Sequence, residues 1–445
     1  LTNESQLLEA ALSAARDTRC LRVGNGVRRD VGEMFGSLFG GHSAAIIADE
    51  NTFAAAGGDV HDSLRAAGRH CHAPLVLGAR IHAEMSLVQR VRAHLESTGA
   101  IAVAVGSGTI NDLAKLASGQ LSRPYMSVAT AASMDGYTAF GASIMHEGSK
   151  QTFACPAPLA VVADLDVIAG APAGMNASGY ADLLAKCPAG ADWIVADAIG
   201  VEPIDANVWP TVQSRLREWI ADPAAVRRGE PEALRRLVTG LMMTGFAMQA
   251  ACSSRPASGA EHQFSHLWDM QHHTHQGIAP SHGFKVGIGS IASLSLYESI
   301  LARGLETLDV DAAVARWPDK RGNEMEIAAL LPEEELAATA RRESAIKYVD
   351  KASLRVELER LKAVWPTLAK RLLSHLLAPA EARDLLREAG APCESAAIGI
   401  DRERLKRSHL MAYHIRRRYT VLDLARRAGV MDELLDALYP SGVSA

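Results

Sequence analysis

The stretch IAVAVGSGTINDLAKLAS, residues 101–118, decides the fold. Its first five residues form a short, wholly apolar run rich in β-branched side chains, which predicts a strand buried on both faces. A glycine-rich turn, Gly106-Ser107-Gly108, follows at once and opens a helical pattern. Strand, tight turn and helix in this order form the repeating unit of a parallel sheet.

The same alternation extends in both directions. Residues 44–48 (AAIIA), 74–78 (PLVLG) and 125–129 (YMSVA) read as strands, and residues 158–164 (PLAVVAD) as the last one. Residues 60–68 and 86–95 read as helices between them. The pattern predicts an α/β region with a parallel, doubly covered sheet. Beyond about residue 176 the β signal stops and i, i+3, i+4 patterns run to the C-terminus. The expected organisation is an α/β domain over 1–175 and a helical domain over 176–445. Their boundary is expected in residues 169–179 (AGAPAGMNASG), with a ligand site in the cleft between them.

Composition narrows the function classes. The 445 residues suffice for two or three domains with real cores, and 48% hydrophobic with 22% charged residues excludes a disordered or coiled-coil chain. Lys and Arg number 46 against 51 Asp and Glu, a net charge of -5 that gives no reason to expect nucleic acid or acidic lipid as partner. The one basic run, residues 402–418 (RERLKRSHLMAYHIRRR), has interleaved apolar residues and reads as a solvated helix face, with a subunit contact as the alternative. The most apolar stretch, residues 241–252 (LMMTGFAMQAAC), is too short to span a bilayer and reads as a buried helix. Six scattered cysteines without a CxxC pair argue against a disulfide framework or thiolate zinc site, so a reducing cytoplasm is expected. The first residues, LTNESQLLEAALSAARD, read as an amphipathic helix without the features of a signal peptide.

Two local signals carry chemistry. In GSGTIND, the glycines let the backbone approach a phosphate, and the helix N-terminus presents N–H groups and a positive dipole end to a pyrophosphate. It is neither GxGxxG nor a Walker loop. Asp49, ending the AAIIA strand, suits an adenosine ribose, although an ordinary strand-end acid looks the same in sequence. The second signal is a cluster of histidines at 262, 266, 272, 273, 275 and 282. Ser258-Gly-Ala-Glu261 fits a capping box, which starts a helix and puts His262 and His266 one turn apart on one face. The acid precedes the first histidine, so this is not the HExxH of a metallohydrolase. His282 opens another helix pattern, whereas His272, His273 and His275 read as a solvated loop. Two histidines need a third ligand. Asp182, read as lying in a helix start after Gly179, and Asp135 in SMDGY are both candidates.

Five motifs in order, GSGTINDLAK, TAASMDGYTAF, GYADLLAK, SRPASGAEHQFSH and SHGFKVGIG, resemble the sn-glycerol-1-phosphate dehydrogenase family. That family lies in the superfamily of iron-containing alcohol dehydrogenases, glycerol dehydrogenases and dehydroquinate synthases. The resemblance covers roughly residues 20–300. It implies a Rossmann-like nucleotide domain, an all-helical metal-binding domain, NAD or NADP, and one divalent metal: zinc first, nickel or iron as alternatives. It assigns the metal to Asp182, His262 and His282, and substrate contacts to His266 and Asp135. The pyrophosphate loop falls on Gly106, Ser107, Gly108, Thr109 and Ile110, and a nicotinamide-side loop on Thr130, Ala131, Ala132 and Ser133. Asp49 matches the acid near the ribose, and a homodimer or larger homo-oligomer is implied.

The chain departs from the family at Ala139, where serine is common, at Ala181, where glycine is frequent, and in a longer, histidine-rich segment between His266 and His282. The expected activity interconverts dihydroxyacetone phosphate and sn-glycerol 1-phosphate by metal-assisted hydride transfer, with Asp182 holding the ion and His266 and Asp135 at the substrate. Three cations near the motifs, Lys150, Arg255 and Lys285, are candidate phosphate partners. The rivals are a dehydrogenase of a non-phosphorylated polyol, a dehydroquinate-synthase-like lyase, and a non-catalytic nucleotide-binding protein.

Overall fold

Six parallel strands form the sheet that residues 101–118 announce. A computed structural model describes residues 3–147 and 149–440. The strands are β1 (Cys20–Gly24), β2 (Ala44–Asp49), β3 (Leu75–Leu77), β4 (Ile101–Gly106), β5 (Tyr125–Ala129) and, after a separate hairpin of β6 (Ala142–His146) and β7 (Ser149–Phe153), β8 (Ala160–Asp164). Their order is β1-β8-β5-β4-β2-β3. The five strands expected from sequence are present. The sequence reading missed β1, a five-residue edge strand with an exposed Arg22, and the β6–β7 hairpin, whose second strand, SKQTF, lacks an apolar alternation.

The strands β2, β4, β5 and β8 are buried on both faces because helices cover both. Ile46, Val103, Val105 and Met126 pack with Val31 and Phe35 of α2 (Val31–Phe39) and Val60 and Leu64 of α3 (Gly58–Ala66). The alternate residues Ile47, Ala102 and Ala104 pack with Val88 and Val91 of α4 (Met85–Thr98) and Ile110 and Leu113 of α5 (Gly108–Gln120). Period-two alternation thus divides each strand between two apolar layers. Helix α1 (Asn3–Ala14) forms where the N-terminal amphipathic pattern places it.

Beyond β8 the chain is helical. The elements that matter below are α6 (Ala173–Leu184), α7 (Lys186–Ala198), α8 (Pro231–Ala251), α9 (Ala260–Met270), α10 (His282–Arg303), α11 (Lys351–His375), α12 (Arg402–His414) and α13 (Val421–Arg427). The chain divides into two compact units. One comprises Leu1–Leu183, Pro210–Ser254 and Glu388–Gly390, and the other Leu184–Trp209, Arg255–Arg387 and Ala391–Ala445. In the second, Phe264, Trp268, Leu296, Tyr297, Leu358, Trp365 and Leu422 share one apolar core.

Three local readings change. The stretch 169–179, small-residue rich and read as a boundary, folds into the end of a short helix and most of α6, because its alanines favour helix once Pro172 has set the start. Asp182 therefore sits in the last turn of a helix, not the first. Residues 402–418 are not a solvated face: Ser408, His409, Met411, Tyr413 and His414 are buried, and the interleaved apolar residues form the packed side of α12. The 241–252 stretch is a buried helix, as expected, in α8. No helix among the described residues is long and apolar enough to cross a membrane.

Candidate active site

The crossover leaving β2 runs to β3 on one side, and that leaving β4 runs to β5 on the other, so the carboxyl ends of β2 and β4 flank a topological switch point. Ile47 lies opposite Ala104. Asp49 and Gly106, each two residues further on, end these strands level with each other at that crevice. The sequence could not give this strand order, and it is the order that brings the two nucleotide signals together.

The glycine-rich turn is tight for a packing reason. A Cβ on Gly106 would lie 2.5 Å from the Ile110 side chain, and one on Gly108 would lie 3.2 Å from Met134. Ser107 precedes α5 but makes no side-chain cap; its Oγ meets Ser133 Oγ at 2.5 Å. Thr130 N–H donates to the Gly106 carbonyl at 3.2 Å. The two loops assigned to the cofactor, 106–110 and 130–133, are therefore tied together, with Thr109 and Ile110 in the first turn of α5. Asp49 does the ordinary work of a strand-end acid as well: its Oδ1 accepts from Thr52 N–H at 2.9 Å, completing a capping box with the Thr52 hydroxyl.

Helix α6 holds the 130–135 loop from one side. Ala132 N–H donates to Asn176 Oδ1 at 3.1 Å, Ser178 Oγ donates to the Ser133 carbonyl at 3.3 Å, and Asp135 N–H donates to Asp182 Oδ2 at 3.1 Å. A Cβ on Gly179 would lie 1.8 Å from the Ala132 carbonyl oxygen, so only glycine admits this approach. Tyr137 hydroxyl donates to the Ala131 carbonyl at 2.7 Å, and burial pushes its pKa up to about 12. Helix α8 holds the following residues: Thr138 Oγ1 donates to the Met242 carbonyl at 2.7 Å, and a Cβ on Gly245 would lie 2.1 Å from that Oγ1.

Lys115, which the sequence reading passed over, is buried in α5. Its ammonium donates to the carbonyls of Gly136, Ala139 and Gly141 at 2.9, 2.9 and 3.1 Å. Burial lowers its pKa, and Asp112, with Oδ1 3.9 Å away, opposes the shift. Its only sequence signal is a lysine among apolar residues of a helix whose neighbours are all buried.

Asp182, His262 and His282 each offer one ligand atom, and the three atoms lie within 4.8 Å of one another. Asp182 and His262 are buried and His282 is half-buried. His262 Nδ1 is 2.7 Å from Glu261 Oε1, and His282 Nδ1 is 3.3 Å from Ser265 Oγ. Those contacts engage Nδ1 of each ring. A carboxylate and two imidazoles oriented by hydrogen bonds at their far nitrogens match the donor set of a divalent-metal centre. The His262 and His282 ring centroids are 5.3 Å apart, and those of His266 lie 6.4 and 6.5 Å from them. Asp135 is tied to this group through its backbone bond to Asp182. Of the two third-ligand candidates, Asp182 is the one whose carboxylate stands with the histidines.

The local start of α9 differs from the expected capping box. Gly259, not Ser258, is the cap residue. Glu261 does reach back, accepting from Gly259 N–H at 2.6 Å, but the acceptor for Ala260 N–H is Asp192 Oδ2 at 2.8 Å, a residue 68 positions away. A carboxylate buried in α7 has taken the role that the sequence pattern gave to serine. His282 opens α10 directly after Ser281, whose Oγ accepts from Phe284 N–H at 3.3 Å.

The remaining candidates separate. His273 is not part of a solvated loop: it is buried, with Nε2 2.6 Å from the Ile398 carbonyl and Nδ1 2.8 Å from the Arg404 guanidinium. His272 is exposed and His275 is half-buried. Arg255 is buried, donating to the carbonyls of Tyr419 and Asp192 at 3.0 Å each and pairing with Glu202. Lys285 pairs with Asp269. Both cations have structural work; Lys150 lies on β7.

Residues 22–172 match the family described as iron-containing alcohol dehydrogenase. A glycerol-1-phosphate dehydrogenase [NAD(P)+] of Halalkalibacterium halodurans is 36% identical over 269 residues, which cover 59% of this chain and 66% of that protein. One of the same description from Geobacillus stearothermophilus is 30% identical over 383 residues, 85% of each chain. The fold is similar to that of a crystal structure of a probable glycerol dehydrogenase from Sinorhizobium meliloti, with a TM-score of 0.60, 18% identity, and coverage of 95% of this chain and 98% of that one.

Proposed function

This chain belongs to the glycerol-1-phosphate dehydrogenase family of the iron-containing alcohol dehydrogenases, and from that premise we propose that it interconverts dihydroxyacetone phosphate and sn-glycerol 1-phosphate. The observation that carries the reading is the carboxylate and two imidazoles within 4.8 Å of one another, beside the loop that carries Asp135. A divalent ion held there by Asp182, His262 and His282, zinc first with nickel or iron as alternatives, supplies Lewis-acid polarisation of the substrate oxygen. NAD or NADP supplies the hydride.

The chain's own residues do the rest. The first N–H groups of α5, over Gly108 to Ile110, face the pyrophosphate after the Gly106-Ser107 turn. Thr130, Ala131, Ala132 and Ser133 line the nicotinamide side, and Asp49 accepts from a ribose hydroxyl. Asp135 orients a substrate hydroxyl. His266 holds the proton that passes between its imidazole and the substrate oxygen, directly or through water. We place the enzyme in the cytoplasm as a homodimer or larger homo-oligomer.

A second reading is favoured by one observation: Arg255 and Lys285, two of three cations suited to a phosphate, are already engaged inside the protein. It is a dehydrogenase of a non-phosphorylated polyol. Oxidation of NADH and NADPH with dihydroxyacetone phosphate, dihydroxyacetone and sugar ketones separates the two. Metal analysis accompanies it: Asp182→Ala and His282→Ala are each expected to lose bound metal and at least ~100-fold in activity while far-UV circular dichroism is unchanged. A variant that stays fully active without metal would refute the proposal.

A further inference from the structure

Beyond the three ligands, one buried acid is placed to act on the metal site. Glu261 is fully buried, and its Oε1 accepts from the Nδ1–H of the neighbouring His262 at 2.7 Å and from Gly259 N–H at 2.6 Å. Its Oε2 is buried with no hydrogen-bond partner among the described residues. A second buried carboxylate stands close: a Cβ on Gly259 would lie 2.4 Å from Asp192 Oδ2 and 2.9 Å from Glu261 Oε2. The two acids are served unequally. Asp192 accepts from Ala260 N–H at 2.8 Å, Val421 N–H at 2.8 Å and the Tyr297 hydroxyl at 2.6 Å. Asp192 thus has donors on both oxygens, whereas Glu261 shares its one bonded oxygen between Gly259 N–H and an imidazole.

A carboxylate aimed at the far nitrogen of a metal-binding imidazole fixes the tautomer, locks the ring and makes Nε2 a stronger donor. It also adds negative charge next to a cation, which offsets the cost of a carboxylate oxygen left without a donor. The backbone is held as firmly as the side chain. A Cβ on Gly289 of α10 would lie 2.5 Å from the Glu261 carbonyl, so α9 and α10 meet in contact at this residue.

We propose that Glu261 is a positioning residue for the metal centre, acting through His262 to set the affinity and ligand strength of the site. The inference rests on the metal reading above and names a group that tunes it.

The test titrates metal-free protein with Zn2+ and Co2+ against a chromogenic competing chelator. Glu261→Gln removes the charge at constant shape. It is expected to raise the dissociation constant about 10- to 100-fold and to shift the visible absorption band of the Co2+ form. Tyr297→Phe, which removes a donor from Asp192 and touches no ligand, is expected to change neither. A Glu261→Gln dissociation constant within twofold of wild type with an unmoved Co2+ band overturns the proposal, even if that variant unfolds at lower temperature. Should Glu261→Gln fail to fold, Glu261→Asp carries the test: its carboxylate is one methylene short of Nδ1, and an unchanged dissociation constant is again the overturning result. Wild-type protein that binds neither metal refutes the metal reading itself and this inference with it.

Discussion

Gly179→Ala sets two effects of opposite sign against each other at one position. Gly179 lies inside α6, where replacing glycine with alanine ordinarily stabilises by about 1 kcal/mol through helix propensity. Against this, the added methyl would sit 1.8 Å from the Ala132 carbonyl oxygen, and even a contact of about 3.0 Å requires α6 to retreat by about 1.2 Å. That retreat lengthens the Ala132 N–H to Asn176 and Asp135 N–H to Asp182 bonds, both 3.1 Å, beyond bonding range. Losing one neutral and one charge-assisted bond costs about 2–4 kcal/mol, and forcing volume into a filled contact adds about 1–3 kcal/mol. The clash wins, with a net destabilisation of about 2–6 kcal/mol. Urea unfolding followed by circular dichroism measures it. Gly58→Ala is the internal reference: it is also helical, a Cβ there meets nothing within 4 Å, and it should stabilise by about 0.5–1 kcal/mol. A Gly179→Ala protein as stable as its parent would refute the packing argument. Because α6 also carries Asp182, the variant should bind metal more weakly as well.

Two other perturbations test the frame of the site. Lys115→Met removes a buried ammonium and takes one donor from each of the carbonyls of Gly136, Ala139 and Gly141, at a cost of about 3–5 kcal/mol; urea unfolding measures that loss, and amide exchange should quicken across 136–141. Acid should destabilise the protein well above the usual carboxylate range. Burial holds both His409 and His414 down at about 4, against about 6.5 unfolded. Their neutral forms are native, so stability is full above the unfolded value and falls as pH drops from about 6.5 to 4, by up to about 1.4 kcal/mol per pH unit for each group. His409→Phe should flatten that slope by one proton in urea midpoints taken between pH 7 and 4.

Chemistry was legible in the sequence wherever it rests on short, strongly patterned segments. IAVAV before GSG reads as a buried strand entering a helix, and the histidine-rich stretch 262–282 contains the two histidines of the candidate metal group. What the sequence concealed were long-range substitutions of one group for another. Ser258-Gly-Ala-Glu261 looks like a capping box, yet Asp192 supplies the acceptor, because its buried carboxylate already needs donors and Ala260 offers one. His273 looks solvated in a polar loop, yet the Ile398 carbonyl and Arg404 satisfy both its nitrogens. Arg402 to Arg418 reads as a charged face, but its cations alternate with residues that fill the second unit's core. In each case the partner is more than 60 positions away, and periodicity carries no information at that range.

Glycine does as much to shape this site as the ligands do. The backbone approaches at Gly179 on Ala132, Gly245 on Thr138 and Gly289 on Glu261 would each put a Cβ within 2.5 Å of an oxygen. These contacts fix α6 against the 130–135 loop, α8 against residue 138, and α9 against α10. None of these glycine contacts involves a side chain of Asp182, His262 or His282. The ligands should therefore be separable from the frame. Changing a ligand removes metal and spares the fold, whereas changing a contact glycine weakens the fold and takes the metal with it. This separation leaves room for the role proposed for Glu261: Asp192 takes the donors of Ala260, Val421 and Tyr297, and Glu261, besides reaching back to Gly259 N–H, points its bonded oxygen at the His262 imidazole.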